Sequence, residues 1–191
     1  MNTTTVNYKN IFYPPGGILM WIIIFLELIT FGMALVAFVY YGADEPEVFH
    51  QSKLQLNSTI GAINTLFLLT SGLFIANAVH FYKEGNNQKT TLFFKLAMFG
   101  GFLFLLLKSY EYYTKIANGI TLDTNTFYSF YWMLTGFHII HVLIGLVLLI
   151  ITERNIKNNK AELEDVEASA TFWHMCDIIW LLLFPIIYLI F

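Results

Sequence analysis

"WIIIFLELITFGMALVAFVYY", residues 21–41, is apolar on both alternating faces and carries a single charge. A bilayer crossing needs roughly 20 mostly apolar residues, and this run supplies them. Lipid offers the backbone no hydrogen bonds, so a run of this kind must satisfy its own as a helix. A barrel strand would instead alternate apolar and polar residues over about 10 positions. Four more stretches have the same character, and the sequence predicts spans at about 18–41, 59–82, 91–113, 127–152 and 170–191. Composition agrees: the 191 residues are 57% hydrophobic and 12% charged, with mean hydropathy +0.63. A soluble domain carries about a quarter charged residues. The expected fold is an all-α membrane protein, a bundle of five transmembrane helices forming one domain over residues 1–191.

Residues 1–17 are short and polar-to-mixed, and the first apolar run is too long for a signal core, so no cleavable signal is expected and the run stays as the first helix. Net charge is −3 at pH 7, and the placing of basic residues says more than the total. Lys9, Lys83, Lys89, Lys95, Arg154, Lys157 and Lys160 gather on or near one side, whereas Lys53 and Lys115 fall on the other. The positive-inside rule then puts the N-terminus in the cytoplasm and the C-terminus outside, on the periplasmic face. "GADEPEVFHQSKLQLN" (42–57) reads as a surface turn. "TERNIKNNKAELEDVEASA" (152–170) reads as a short amphipathic connector with a solvated acidic half. The lone Cys176 lies in the fifth span and is expected to be buried and inert.

Ionisable groups inside a membrane cost at least about 2.5–3.5 kcal/mol each, so each needs a reason. Glu27 sits near the middle of the first span with no charged neighbour three or four positions away. It must pair across helices or stay protonated, and it is the candidate for proton-linked behaviour. Lys108 and Glu111 are three apart near the outer end of the third span, placed to pair within the helix or to snorkel. His174 and Asp177 are likewise three apart in the fifth. His80 lies at the inner end of the second, whose other polar members are Asn64, Thr65, Ser71 and Asn77. His138 and His141 share one face of the fourth span in "LTGFHIIHVLIG" (134–145). A metal there would want further ligands from other helices, with His174 the only other deep candidate. Interhelical hydrogen bonding is the simpler reading of both histidines. Gly72, Ala76, Gly100 and Gly101 are small residues that let helices approach.

These motifs resemble a known family. "TGFHIIHVLIG" (135–145) and "FWHMCDIIWLLLFPIIYL" (172–189) resemble subunit III of haem-copper terminal oxidases. So do "MWIIIFLELITFGMALVAF" (20–38) with its intramembrane Glu27, "NTLFLLTSG" (64–72) followed by His80, and "EYY" (111–113). The mitochondrial-type subunit has seven helices, and this chain is expected to lack equivalents of the first two. Five-helix forms are known in quinol oxidases, in some bacterial oxidases and beside bacterial nitric oxide reductases. Lys108 stands where oxidase chains tend to show Gln. With "LKSYEYYTKIANGITLDTNTFYSFYW" (107–132) and Pro185, it looks closer to the nitric-oxide-reductase-associated branch.

The resemblance implies a subunit without redox centres or catalytic residues. Haem and copper would belong to partner subunits, and this chain would bind no metal, with room for structural phospholipid. It would pack on the catalytic subunit I in a bacterial inner (plasma) membrane, supporting stability and proton uptake, with no nucleic-acid partner. Glu27 would be the proton-linked candidate. His80, Lys108, Glu111, His138, His141, His174 and Asp177 would make interhelical polar contacts. The alternative is a stand-alone proton or ion pathway built on Glu27.

Overall fold

The computed structural model describes residues 14–191, so Lys9 and the rest of the polar segment before Pro14 lie outside the described residues. Among the described residues there are six helices: α1 (Gly17–Asp44), α2 (Pro46–Leu54), α3 (Ser58–Lys83), α4 (Asn87–Ala117), α5 (Thr126–Lys157) and α6 (Leu163–Tyr188). All but α2 are long and apolar enough to cross a membrane, five in all among the described residues. The chain is a multi-pass, all-α membrane protein.

Capping residues set where these helices begin. Asn57 accepts from the backbone N–H of Thr59 and Ile60, Asn86 from Lys89 and Asn125 from Tyr128, each satisfying donors that a helix start leaves free. At α6, Glu162 and Asp165 form a reciprocal capping box. Gly85, at φ +76°, reverses the chain between α3 and α4 in a left-handed conformation open to glycine.

Two loop expectations are corrected. Residues 42–57 are not a surface turn, because α2 folds within them. Pro46 opens this helix at its first turn, where a missing N–H costs nothing. Phe49 then buries against Phe38, Phe127 and Phe191. Polar contacts hold the same helix to its neighbours: Tyr128 Oη donates to Ser52 O at 3.2 Å, and Lys115 Nζ to Gln55 O at 2.5 Å. The connector at 152–170 is also mostly helix. α5 runs on to Lys157 and α6 starts at Leu163, so the link is 158–162.

α6 lies at the centre, packed by α1, α3 and α5, while α4 joins α3 to α5. Trp173 fixes this arrangement. A Cβ at Gly101 of α4 would fall 2.5 Å from its ring, and one at Gly145 of α5 would fall 2.9 Å away, so the indole occupies a slot between two glycines. Its Nε1 donates to Ser71 Oγ at 3.0 Å, and Ser71 Oγ donates to Ala97 O at 2.7 Å. One side chain thereby ties α6 to α3, α4 and α5. Close van der Waals packing at small residues is the main attraction available to helices in lipid.

Candidate functional site

Three separate polar clusters lie inside the spans. Glu27 of α1 meets His141 of α5, with Oε2 3.2 Å from Nε2, although the approach lacks hydrogen-bond alignment at Glu27 Oε2. His141 Nδ1 lies 2.9 Å from the carbonyl of Phe137. A carbonyl only accepts, so Nδ1 carries a proton. Nε2 is then the ring nitrogen that faces the Glu27 carboxyl. Phe31 and Phe137 wall the contact, with ring centroids 5.6 and 4.6 Å from the His141 ring.

His138 differs from its neighbour. It is wholly buried, and neither ring nitrogen has a hydrogen-bond partner among the described residues. It stacks on Trp180 at 5.2 Å and stands edge-on to Phe104 at 5.6 Å. The expected interhelical hydrogen bond is therefore absent at His138. Three residues advance a helix by about 300°, leaving two such side chains about 60° apart. That suffices to aim His141 at α1 and His138 at the aromatic seam with α4 and α6.

The second cluster closes around Lys108. Its side chain is fully buried, which excludes the snorkelling alternative. Nζ donates to Glu111 Oε2 at 2.9 Å, Tyr131 Oη at 3.2 Å and Tyr188 Oη at 2.7 Å, which uses all three ammonium protons. Tyr188 Oη in turn donates to Glu111 Oε1 at 2.7 Å. The ammonium also lies 4.8 Å from the Tyr131 ring centroid and 5.3 Å from that of Trp180, within reach of a cation–π attraction. The pair lies within α4, but the tyrosines make it interhelical, linking α4 to α5 and α6. Sequence reasoning missed Tyr131 and Tyr188. An aromatic hydroxyl near a span end reads as an interfacial anchor, and only the fold shows that these two turn inward.

The third cluster is His174 with Asp177, Nδ1 to Oδ2 at 3.3 Å, both on α6. Gly72 of α3 leaves the room that this carboxylate occupies. His80 pairs with Glu84 one turn on, at 3.3 Å and in the open. Each of these contacts is local to one helix and its cap and does not bridge helices, because the partners lie about one turn apart. Among the described residues no three His, Cys, Asp or Glu side chains converge as a metal site. Cys176 is free and buried.

A comparison with known families adds the decisive observation: residues 5–190 match the profile of cytochrome c oxidase subunit III. The chain belongs to the cytochrome c oxidase subunit III family. Among curated members, it is 39% identical over 134 residues to cytochrome c oxidase subunit 3 of Drosophila melanogaster, an alignment covering 68% of this chain and 49% of that protein. It is 37% identical over 139 residues to the probable cytochrome c oxidase subunit 3 of Rickettsia prowazekii (strain Madrid E), covering 67% of this chain and 47% of that protein. The chain thus spans about half the length of these curated relatives.

Proposed function

We propose that the chain is an accessory, non-redox subunit III of a haem-copper respiratory complex, packing on a catalytic subunit I and supporting its stability and proton uptake. The family match over residues 5–190 carries this reading. The geometry supports it: the Lys108 cluster is closed on itself, as a structural tie would be. Glu27 with His141 is the contact suited to exchange a proton. Lys83, Lys89, Arg154 and Lys157 lie at the end where α1 begins, which favours a cytoplasmic N-terminus in a bacterial plasma membrane. Haem and copper belong, on this reading, to partner subunits. One acyl chain of a structural phospholipid fits the open apolar groove of about 430 Å³ that α1 and α5 line with Phe31, Ala34, Met133 and Ile140.

Lys108 and Pro185 favour a complex that reduces nitric oxide, of the type with a five-helix subunit III. Oxygen reduction is the second reading, favoured by relatives named cytochrome c oxidase subunit 3. Purification through a tag on this chain, in mild detergent, tests both. The expected outcome is a larger haem-bearing subunit that co-purifies and consumes nitric oxide, with a colourless isolated chain; oxygen consumption alone selects the oxidase. A haem band persisting in the isolated chain overturns the accessory role. Proton flux through liposomes holding this chain alone, lost in Glu27→Gln, favours the stand-alone pathway instead.

A further inference from the structure

Four aromatic side chains close around the Lys108 ammonium. The ring centroids of Tyr112 and Trp180 lie 5.3 Å from Nζ, within the roughly 6 Å at which a ring attracts a cation. Tyr131 and Tyr188, with centroids at 4.8 and 5.4 Å, also give it their hydroxyl oxygens. Glu111 Oε2 completes a set of three acceptors and carries the negative charge among them. A primary ammonium has three donors, one positive charge and no acceptor, so this surround is its complement.

The walls are held by contacts that do not pass through Nζ. Trp180 Nε1 donates to Thr65 Oγ1 at 2.9 Å, and His138 stacks on the indole. Tyr112 Oη pairs with Thr135 Oγ1 at 2.6 Å. Tyr188 Oη donates to Glu111 Oε1 at 2.7 Å, which fixes both groups against each other. These contacts join α3, α4, α5 and α6, and Lys108 supplies only the occupant. Walls that stay in place when the occupant leaves are preorganised, and such a site loses little conformational freedom when it binds.

We infer that the core of the bundle is a recognition site for a primary alkylammonium ion, filled in the native chain by the end of Lys108. Donors are read as well as charge. A quaternary ammonium would meet the rings but strand three acceptors, and apolar surroundings offer them no other donor. A guanidinium spreads five N–H groups over a flat fork, whereas these acceptors converge on a single nitrogen. A neutral alcohol brings one donor and leaves Glu111 a buried, unpaired carboxylate. The site does not depend on which complex the chain serves, so its failure leaves the accessory-subunit reading untouched.

Lys108→Ala removes the side chain beyond Cβ, which is n-propylammonium in all but its tether, and leaves the walls. Propylamine crosses detergent as the neutral base and takes up its proton inside. The full chain carrying Lys108→Ala, in micelles, is titrated with propylamine and unfolded in SDS, with loss of helicity as the readout. Its folding constant should rise in proportion to the amine, about tenfold when the amine stands at about ten times its dissociation constant. Propanol and tetramethylammonium should leave it unchanged. So should propylamine added to the wild-type chain, whose site is filled, or to Lys108→Ala combined with Glu111→Gln, which has lost the charge. If Lys108→Ala accumulates folded only when cells are grown with the amine, that rescue supports the site equally. Equal stabilisation by propylamine and propanol would mean that the space is filled without regard to charge, and overturns the inference. An equal gain in the wild-type chain, no response to the amine, or a variant that stays unfolded with and without it overturns it as well.

Discussion

Lys108 and His138 are both fully buried basic groups, and both lie against the indole of Trp180. Their surroundings treat them oppositely. Three acceptors meet the three protons of the Lys108 ammonium, and Glu111 supplies the balancing charge. Neither nitrogen of His138 meets anything polar among the described residues. An unsatisfied buried polar group costs about 1–3 kcal/mol, whereas removing one member of a buried ion pair costs about 3–5 kcal/mol by stranding the other. His138→Phe keeps a flat ring against Trp180 and Phe104 and removes the orphaned nitrogens. It should leave stability unchanged or raise it by up to about 2 kcal/mol. Lys108→Met strands Glu111 with only the Tyr188 hydroxyl and should destabilise the bundle by about 3–5 kcal/mol. Unfolding of the purified chain in increasing SDS, read as loss of helicity, ranks the two variants; the reverse order would overturn this account of the core.

Between elements, the fit of Trp173 into the Gly101–Gly145 slot sets how closely α4, α5 and α6 approach. Gly101→Leu drives a branched side chain into that indole and should cost at least about 1–3 kcal/mol, the usual penalty of overpacking. Gly32 on α1 has no atom within 4 Å of an added Cβ, so Gly32→Leu should be neutral or stabilising. Yield of folded protein from membranes and resistance to SDS compare them, and equal losses would show that helix flexibility, not the slot, matters. The two glycines look alike in the sequence, because what separates them is brought by another helix. The same limit explains what was legible. Five spans could be read because length and apolarity are properties of one segment, and the Lys108–Glu111 pair because its members are three residues apart. Tyr131 and Tyr188 come to that pair from α5 and α6, and no local pattern announces them. α2 was obscured by its charges, although Pro46, Glu47 and buried Phe49 carry a helix-start signal in hindsight.

For the molecule as a whole, α1 packs on α5 and α6 but not along α3, and it is the least embedded of the spanning helices. Only 22% of its most apolar window is buried, against 56% for α6. Its anchors are aromatic, Phe31 on Phe137 and Phe38 among Phe49, Phe127 and Phe191, together with one polar contact at mid-depth, Glu27 to His141. Gly42 adds a close fit to the Phe191 ring at its outer end, but no such slot holds the half of α1 before Phe31. α1 should therefore open first, and its hold should depend on position 27 in a way that chemistry at that atom predicts. With Nδ1 committed to the Phe137 carbonyl, Nε2 can accept. Glu27→Gln supplies an amide N–H to that acceptor and should keep α1 docked. Glu27→Leu leaves Nε2 unanswered and should loosen α1 alone. Amide hydrogen exchange in micelles separates the outcomes. In Glu27→Leu, segment 17–44 should lose protection by roughly threefold to fifteenfold, the range of a membrane hydrogen bond, with α3 to α6 unchanged and Glu27→Gln close to wild type. Equal loss in both variants would mean that α1 is held by charge, and loss spread over every helix would mean that the five spans open as one unit.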